Sequence, residues 1–113
     1  MFLLSDLISQ SRELLQDEVE PYRYDDERLY RTLNNAFAEA YRLRPDIFVD
    51  LDFTIPFVTT ANSTDTFPLD QQFYNPFVDY VVSMTEFSDD EWTVDGRAMA
   101  FLQLFGRRLG TNS

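Results

Sequence analysis

The sequence predicts a mainly α-helical fold, a four-helix, bundle-like domain with a β-hairpin or extended arm between helices two and three. Three observations predict it. Apolar residues recur at three- and four-residue spacing in four separate stretches, which marks one buried face on each of four helices. Proline and acidic clusters fall between those stretches, where helices stop. The stretch of about 47–69 alone loses the helical period and turns to aromatic and β-branched residues. At 113 residues the chain has the size of one domain, 1–113.

The first helix is expected over about 5–18, with Leu4, Leu7, Ile8, Ser11, Leu14 and Leu15 on one face. Ser5 is a candidate cap, and Asp6 sits where negative charge favours the helix dipole. Asp17, Glu18 and Glu20 oppose the dipole of a last turn, and Pro21 cannot continue the ladder. The second helix, about 26–44, carries the clearest signals. Asp25 is the predicted N-cap, Asp26 and Glu27 fill the first turn, and Tyr24 can pack on Leu29 as a hydrophobic staple. Leu29, Leu33, Phe37, Ala40 and Tyr41 share one side with Ala36 beside them, and Pro45 stops the helix after Arg44.

The arm follows. Ile47-Phe48-Val49 and Phe53-Thr54-Ile55 read as short extended segments, with Pro56 marking an edge or a break. Residues 59–65 read as a polar turn, and Thr66-Phe67-Pro68-Leu69 as a returning strand. Phe53, Phe57 and Phe67 in its arms are read as built to reach a neighbour. The third helix is expected over about 76–87, capped by Asn75 with Pro76 at its first position, and with Phe77, Tyr80, Val81, Met84 and Phe87 on its apolar face. Ser88-Asp89-Asp90-Glu91 is the break. The fourth, about 93–109, turns Ala98, Phe101, Leu102, Phe105 and Leu109 inward. Arg107 and Arg108 lie in its last turn and Gly110 is the expected C-cap.

Composition excludes whole classes of chemistry. The chain has no cysteine and no histidine, hence no disulfide, no thiolate or imidazole catalyst and no zinc set of those ligands. Twenty acids against nine arginines, with no lysine, give a net charge of −11, the opposite of a generic nucleic-acid wrapper. Eighteen aromatics set it apart from a disordered acidic tail and suit an interface. The apolar start is too short for a signal peptide, and no stretch approaches the roughly 20 apolar residues of a membrane span. The expectation is a soluble protein made in a cytoplasm. Charge is uneven: residues 1–50 carry −5, residues 51–96 carry nine acids and no base, and residues 97–113 carry +3 from Arg97, Arg107 and Arg108. An acidic middle and a basic end can meet a partner, or another copy, with electrostatic complementarity.

Catalytic, metal and cofactor readings find little support. The acids sit in caps, turns and exposed faces rather than as an opposed carboxyl pair, so no enzyme is expected. Counting from Asp89, the sixth and twelfth residues are Val94 and Ala100, where a calcium loop needs Gly and Glu. Three glycines cannot build a phosphate loop. Arg28, Arg31, Arg42 and Arg44 on the second helix suit planar carboxylate pairing, within the chain or across an interface. The bland alternative for them is solubility and codon bias.

The run Tyr24-Asp25-Asp26-Glu27-Arg28-Leu29-Tyr30-Arg31-Thr32-Leu33-Asn34-Asn35-Ala36-Phe37, followed by Ala40-Tyr41-Arg42-Leu43-Arg44-Pro45, resembles the head-to-tail adaptor proteins of tailed bacteriophages. The order Phe67-Pro68-Leu69, a helix from Pro76 to Phe87, the Asp89-Asp90 turn, and a last helix bearing Ala98, Phe101 and Phe105 is similar to the family's later half. The resemblance implies a homo-oligomeric ring, usually of twelve copies, beneath the portal protein in the virion. Such a ring extends the DNA channel and gives a docking platform to the downstream tail, nozzle or head-closure protein. Double-stranded DNA would pass without specific binding, since acids repel phosphate. With only three residues after Gly110, the portal grip that some adaptors make with a longer C-terminal extension is expected to be made differently. Phe53, Phe57, Phe67, Arg97, Arg107, Arg108, Arg28, Arg31 and Arg42 are the candidate interface residues, with the arm touching a neighbouring subunit or the next ring, by adding a strand. The rival reading is an acidic interaction protein, a nucleic-acid mimic that inhibits a basic host partner.

Overall fold

A computed structural model describes residues 3–17, 24–89 and 95–110, with the side chains of 87–89 and 95–99 outside that description. The described chain is mainly helical: α1 (Leu4–Leu15), α2 (Asp26–Leu43), α3 (Tyr74–Asp89) and α4 (Asp95–Arg108), with short 3-10 turns at Pro45–Leu51, Thr60–Asn62 and Gln71–Phe73. α3 is the hub, packed against α1, α2 and α4. The molecule is a slab of 39 × 35 × 18 Å. Its thickness is less than two helix diameters of about 10–12 Å each.

α1 starts one residue earlier than Ser5 and stops at Leu15 rather than near Glu18. At its start, Asp6 Oδ2 accepts from the Leu3 N–H at 3.0 Å. The next two amides, which have no partner inside any helix, are met by a distant loop. Leu4 N–H donates to the Asp65 carbonyl and Ser5 N–H to the Ser63 carbonyl, both at 2.9 Å. At the other end Gln16 takes a left-handed conformation (φ 56°) and its N–H returns to Arg12 and Glu13. Ser11, buried among leucines, donates its hydroxyl to the Leu7 carbonyl at 2.9 Å.

Arg12 is buried on the same face. Its Nη1 donates to Asp17 Oδ2 at 3.1 Å and to the Tyr24 carbonyl at 2.9 Å, while Nη2 donates to Asp26 Oδ1 at 2.5 Å. Asp17 Oδ2 also accepts from the Tyr24 N–H at 3.0 Å. One guanidinium fork thus fastens the end of α1 to the start of α2. Leu14, expected inside, is exposed. Helix geometry gives the reason: at about 100° per residue from Leu7, the buried positions run from about 0° to about 140°, and Leu14 falls at about −20°.

In α2, Asp25 is the N-cap and accepts from the Arg28 N–H at 2.8 Å. Leu29, Tyr30, Leu33, Ala36, Phe37 and Ala40 are buried, and Tyr41 meets Phe48 edge-on at 5.3 Å. The helix ends at Leu43, before Pro45.

The expected strands do not form; among the described residues the one β-type contact is an isolated bridge from Leu3 to Thr66. Ile47-Phe48-Val49 lies in a 3-10 turn opened by Pro45, whose fixed φ suits a helical first position. Phe48 alone of the three is fully buried, and Val49 faces solvent. Phe67 is likewise not an arm residue. It is buried, with its ring against Phe77 (5.3 Å), Tyr74 (5.7 Å) and Phe37 (6.1 Å).

α3 begins at Tyr74, two residues before Pro76, because the 3-10 turn at Gln71–Phe73 feeds straight into it. Pro76 is tolerated there since first-turn amides need no helical acceptor. Phe77 lies against Phe37 (4.9 Å), Phe67 (5.3 Å) and Phe105 (5.7 Å), so one ring joins α2, the 63–70 loop and α4 to α3. Tyr80 packs beside Phe105 and Phe101. In α4, Phe105 and Leu109 are buried, and Ala98 lies outside the described side chains. Gly110 closes the helix at φ +91°, and a Cβ there would stand 2.8 Å from Arg44 Nη1, which donates to the Leu109 carbonyl.

Burial, with a smaller push from Glu39, raises the Tyr80 hydroxyl to about 12. Burial also raises Tyr30 and Tyr74, helped by Asp26 and Asp6 respectively. The folded state therefore holds these phenol protons more tightly than the unfolded chain. The Tyr80 contribution to stability is complete below pH 10.0 and is lost as pH rises toward about 12. The urea midpoint is expected to stay flat from neutral pH to the unfolded tyrosine value and then fall, less steeply in Tyr80→Phe. Phenolate absorbance that grew at that unfolded value with the fold intact and Tyr80 ionised would refute it.

Candidate functional site

The feature that packing alone does not explain is a strap over residues 52–59 that leaves the end of the Pro45–Leu51 turn and returns along α2. Its entry is strained. Asp52 (φ 55°) and Phe53 (φ 57°) are consecutive left-handed residues. Aspartate tolerates that region, but a bulky phenylalanine there is an outlier, a type of strain that costs about 1–3 kcal/mol. The turn holds it by three bonds: Asp52 N–H to the Val49 carbonyl, Phe53 N–H to the Phe48 carbonyl and Thr54 N–H to the Leu51 carbonyl. The strained conformation leaves the Phe53 side chain half exposed.

The far end is anchored by one side chain. Asn34 of α2 accepts from the Val58 N–H at 2.8 Å and donates its amide to the Val58 carbonyl at 2.9 Å. It therefore meets both backbone groups of Val58, as a paired strand would. Val58 itself is buried, while Phe57 beside it is 77% exposed. Pro56 biases Ile55 to an extended conformation, and Ile55 is exposed as well. Among the described residues the backbone groups of Ile55 and Phe57 make no hydrogen bond. Val49, Phe53, Ile55 and Phe57 are all exposed, and so are Asp50 and Asp52, which lie between Val49 and Phe53 in the sequence. Between the strap and Tyr30, Arg31 and Asn34 of α2 lies an open groove of about 410 Å³.

The residues singled out from the sequence scatter. Phe53 and Phe57 stand on this surface, and Phe67 does not. Arg31 lines the groove and is exposed. Arg28 lies over the Tyr24 ring, 4.9 Å from its centre. Arg42 is exposed and bound to Glu39 of its own helix, whose hydrogen bond first and charge second raise the Arg42 pKa. Arg44 holds Asp46, and its hydrogen bond lowers that carboxyl below the usual value. Arg108 pairs with Asp79, Arg107 is exposed, and Arg97 lies outside the described side chains.

Three residues escaped sequence reasoning: Arg12, Asn34 and Ile55 as a surface residue. Arg12 could have been found, because it follows Ile8 by four on the apolar face, where a charge requires partners. Asn34 gives no such signal. Among the described residues no three acids converge as a metal site, and no helix is long and apolar enough to cross a membrane. No protein-family profile, curated protein or solved structure matches the chain.

Proposed function

We propose that this chain is a structural adaptor of the tailed-phage head-to-tail junction, assembling as a ring below the portal without catalysis. In this reading the four helices form the body of each subunit and the strap is its arm. The observation that carries it is the Tyr24–Pro45 segment. Its sequence resembles the adaptor family, and it folds as one capped helix that bears an exposed apolar strap on its outer side. The strain at Phe53 fits a surface set for a partner, since strained residues cluster where function maintains them. The acids of residues 51–96, a stretch with no base of its own, would line the channel, letting DNA slide past by repulsion, or meet a basic downstream protein.

The test is native mass spectrometry of the chain alone and mixed with the portal protein of the same genome. The expected result is a cyclic species, or a portal complex holding one adaptor per portal subunit. A chain that neither assembles nor binds portal overturns the proposal. The acidic surface would then lead, and a pull-down for a basic host protein would follow.

A further inference from the structure

Among its described side chains α4 carries one exposed large apolar residue that the core does not need. Leu104 is 49% exposed, and Arg107, one turn along the same face, is exposed too. Among the described residues Arg107 has no ion-pair partner, unlike Arg108. This face and the strap are near-complements. The strap offers Phe53, Ile55 and Phe57 beside two acids, Asp50 and Asp52, that likewise have no ion-pair partner among the described residues. The α4 face offers a leucine beside a cation. They belong to different parts of the molecule: α4 packs on α3, whereas Asn34 ties the strap to α2. The Val58 anchor is at Asn34 inside α2, and the Leu109 anchor is at Arg44, ten positions on and just past the end of that helix.

We infer that the strap takes the outer face of α4 from a second copy of the chain, with Leu104 against Phe57 and Phe53 and Arg107 against Asp50 and Asp52. The contact joins two different surfaces. It leaves one copy with a free α4 face and the other with a free strap, so copies add head-to-tail into a ring or a filament. Two chemistries select the occupant. Only an apolar group gains by covering the phenylalanines, and only a cation gains beside the paired acids. The basic end of this acidic chain supplies both. The inference deepens the adaptor reading, on which its ring-forming role rests, by naming the two faces that meet.

The experiment uses Phe57→Ser, which spoils the strap, and Leu104→Glu, which spoils the α4 face. Both positions are solvent-facing, and circular dichroism checks that each variant folds. Native mass spectrometry across rising concentration reads assembly. Wild type is expected to form multimers, and each variant alone to associate at least tenfold more weakly. An equimolar mixture of the two variants is expected to give a one-to-one heterodimer, because one retains the strap and the other the α4 face. A wild type that stays monomeric, a variant that assembles like wild type, or a mixture that does not pair overturns the inference.

The portal mixture separates this failure from failure of the adaptor reading. A monomeric chain that still loads onto portal refutes the two-face contact alone. A chain that pairs through these faces and ignores portal refutes the adaptor role alone.

Discussion

Arg12→Ala is expected to destabilise the protein by about 3–5 kcal/mol, the cost of breaking a buried ion pair from one side. The loss is not that of one bond. Removing the guanidinium takes one cation from the buried Asp17 carboxylate and one donor from the Tyr24 carbonyl. It also frees the more exposed Asp26. Arg12→Lys should recover little, because one ammonium cannot span the Asp17, Tyr24 and Asp26 oxygens that the planar fork reaches together. A double variant, Arg12→Met with Asp17→Leu, should regain part of the loss, since it removes the buried carboxylate as well. Urea denaturation of the four proteins decides it. A loss below about 1 kcal/mol in Arg12→Ala would match a surface pair and refute the fastening role.

Phe77→Ala is expected to cost a similar amount, about 3–5 kcal/mol, by a different route. Here the loss is transfer free energy plus a cavity at the point where three rings meet. Phe37, Phe67 and Phe105 each lie within 4.9–5.7 Å of the Phe77 ring, and they come from α2, the 63–70 loop and α4. None can fill the gap without leaving its own packing. Phe77→Leu keeps most of the volume and should cost less, losing mainly the ring geometry that is worth about 0.5–1.5 kcal/mol per pair. The check is the urea midpoint together with near-ultraviolet circular dichroism, which reads aromatic packing directly. An alanine variant with unchanged near-ultraviolet signal and midpoint would remove Phe77 from its central place.

How far the sequence reveals the fold depends on whether a segment's neighbours are local. α2 is legible throughout because its start, its face and its stop all lie within it: Asp25 caps, the apolar residues keep one period and Pro45 ends the run. The arm is not. Ile47-Phe48-Val49 has strand composition, yet its conformation is set by Pro45 and by the need to bury Phe48 alone. Phe67 and Leu69 alternate as strand residues do and are both buried, but among the described residues no partner strand stands beside them. Their alternation serves the α3 aromatics instead. Gln16 ends α1 in a conformation its residue type does not announce. At the candidate surface, Phe57 and Phe53 were readable as surplus aromatics. The anchor that presents them was not, because an asparagine 24 residues away carries no local signature.

The loop carbonyls at Ser63 and Asp65 do more than close the strap's return. They receive the Leu4 and Ser5 amides, so the start of α1 is capped by a segment roughly sixty positions downstream as well as by its own Asp6. In hydrogen-exchange terms, the Leu4 and Ser5 amides are shielded only while that loop stays docked. Their exchange rate is thus a gauge of loop opening, read at the far end of the chain. A partner that pulled the strap and its loop off the body would unprotect the first turn of α1 before touching any residue of it.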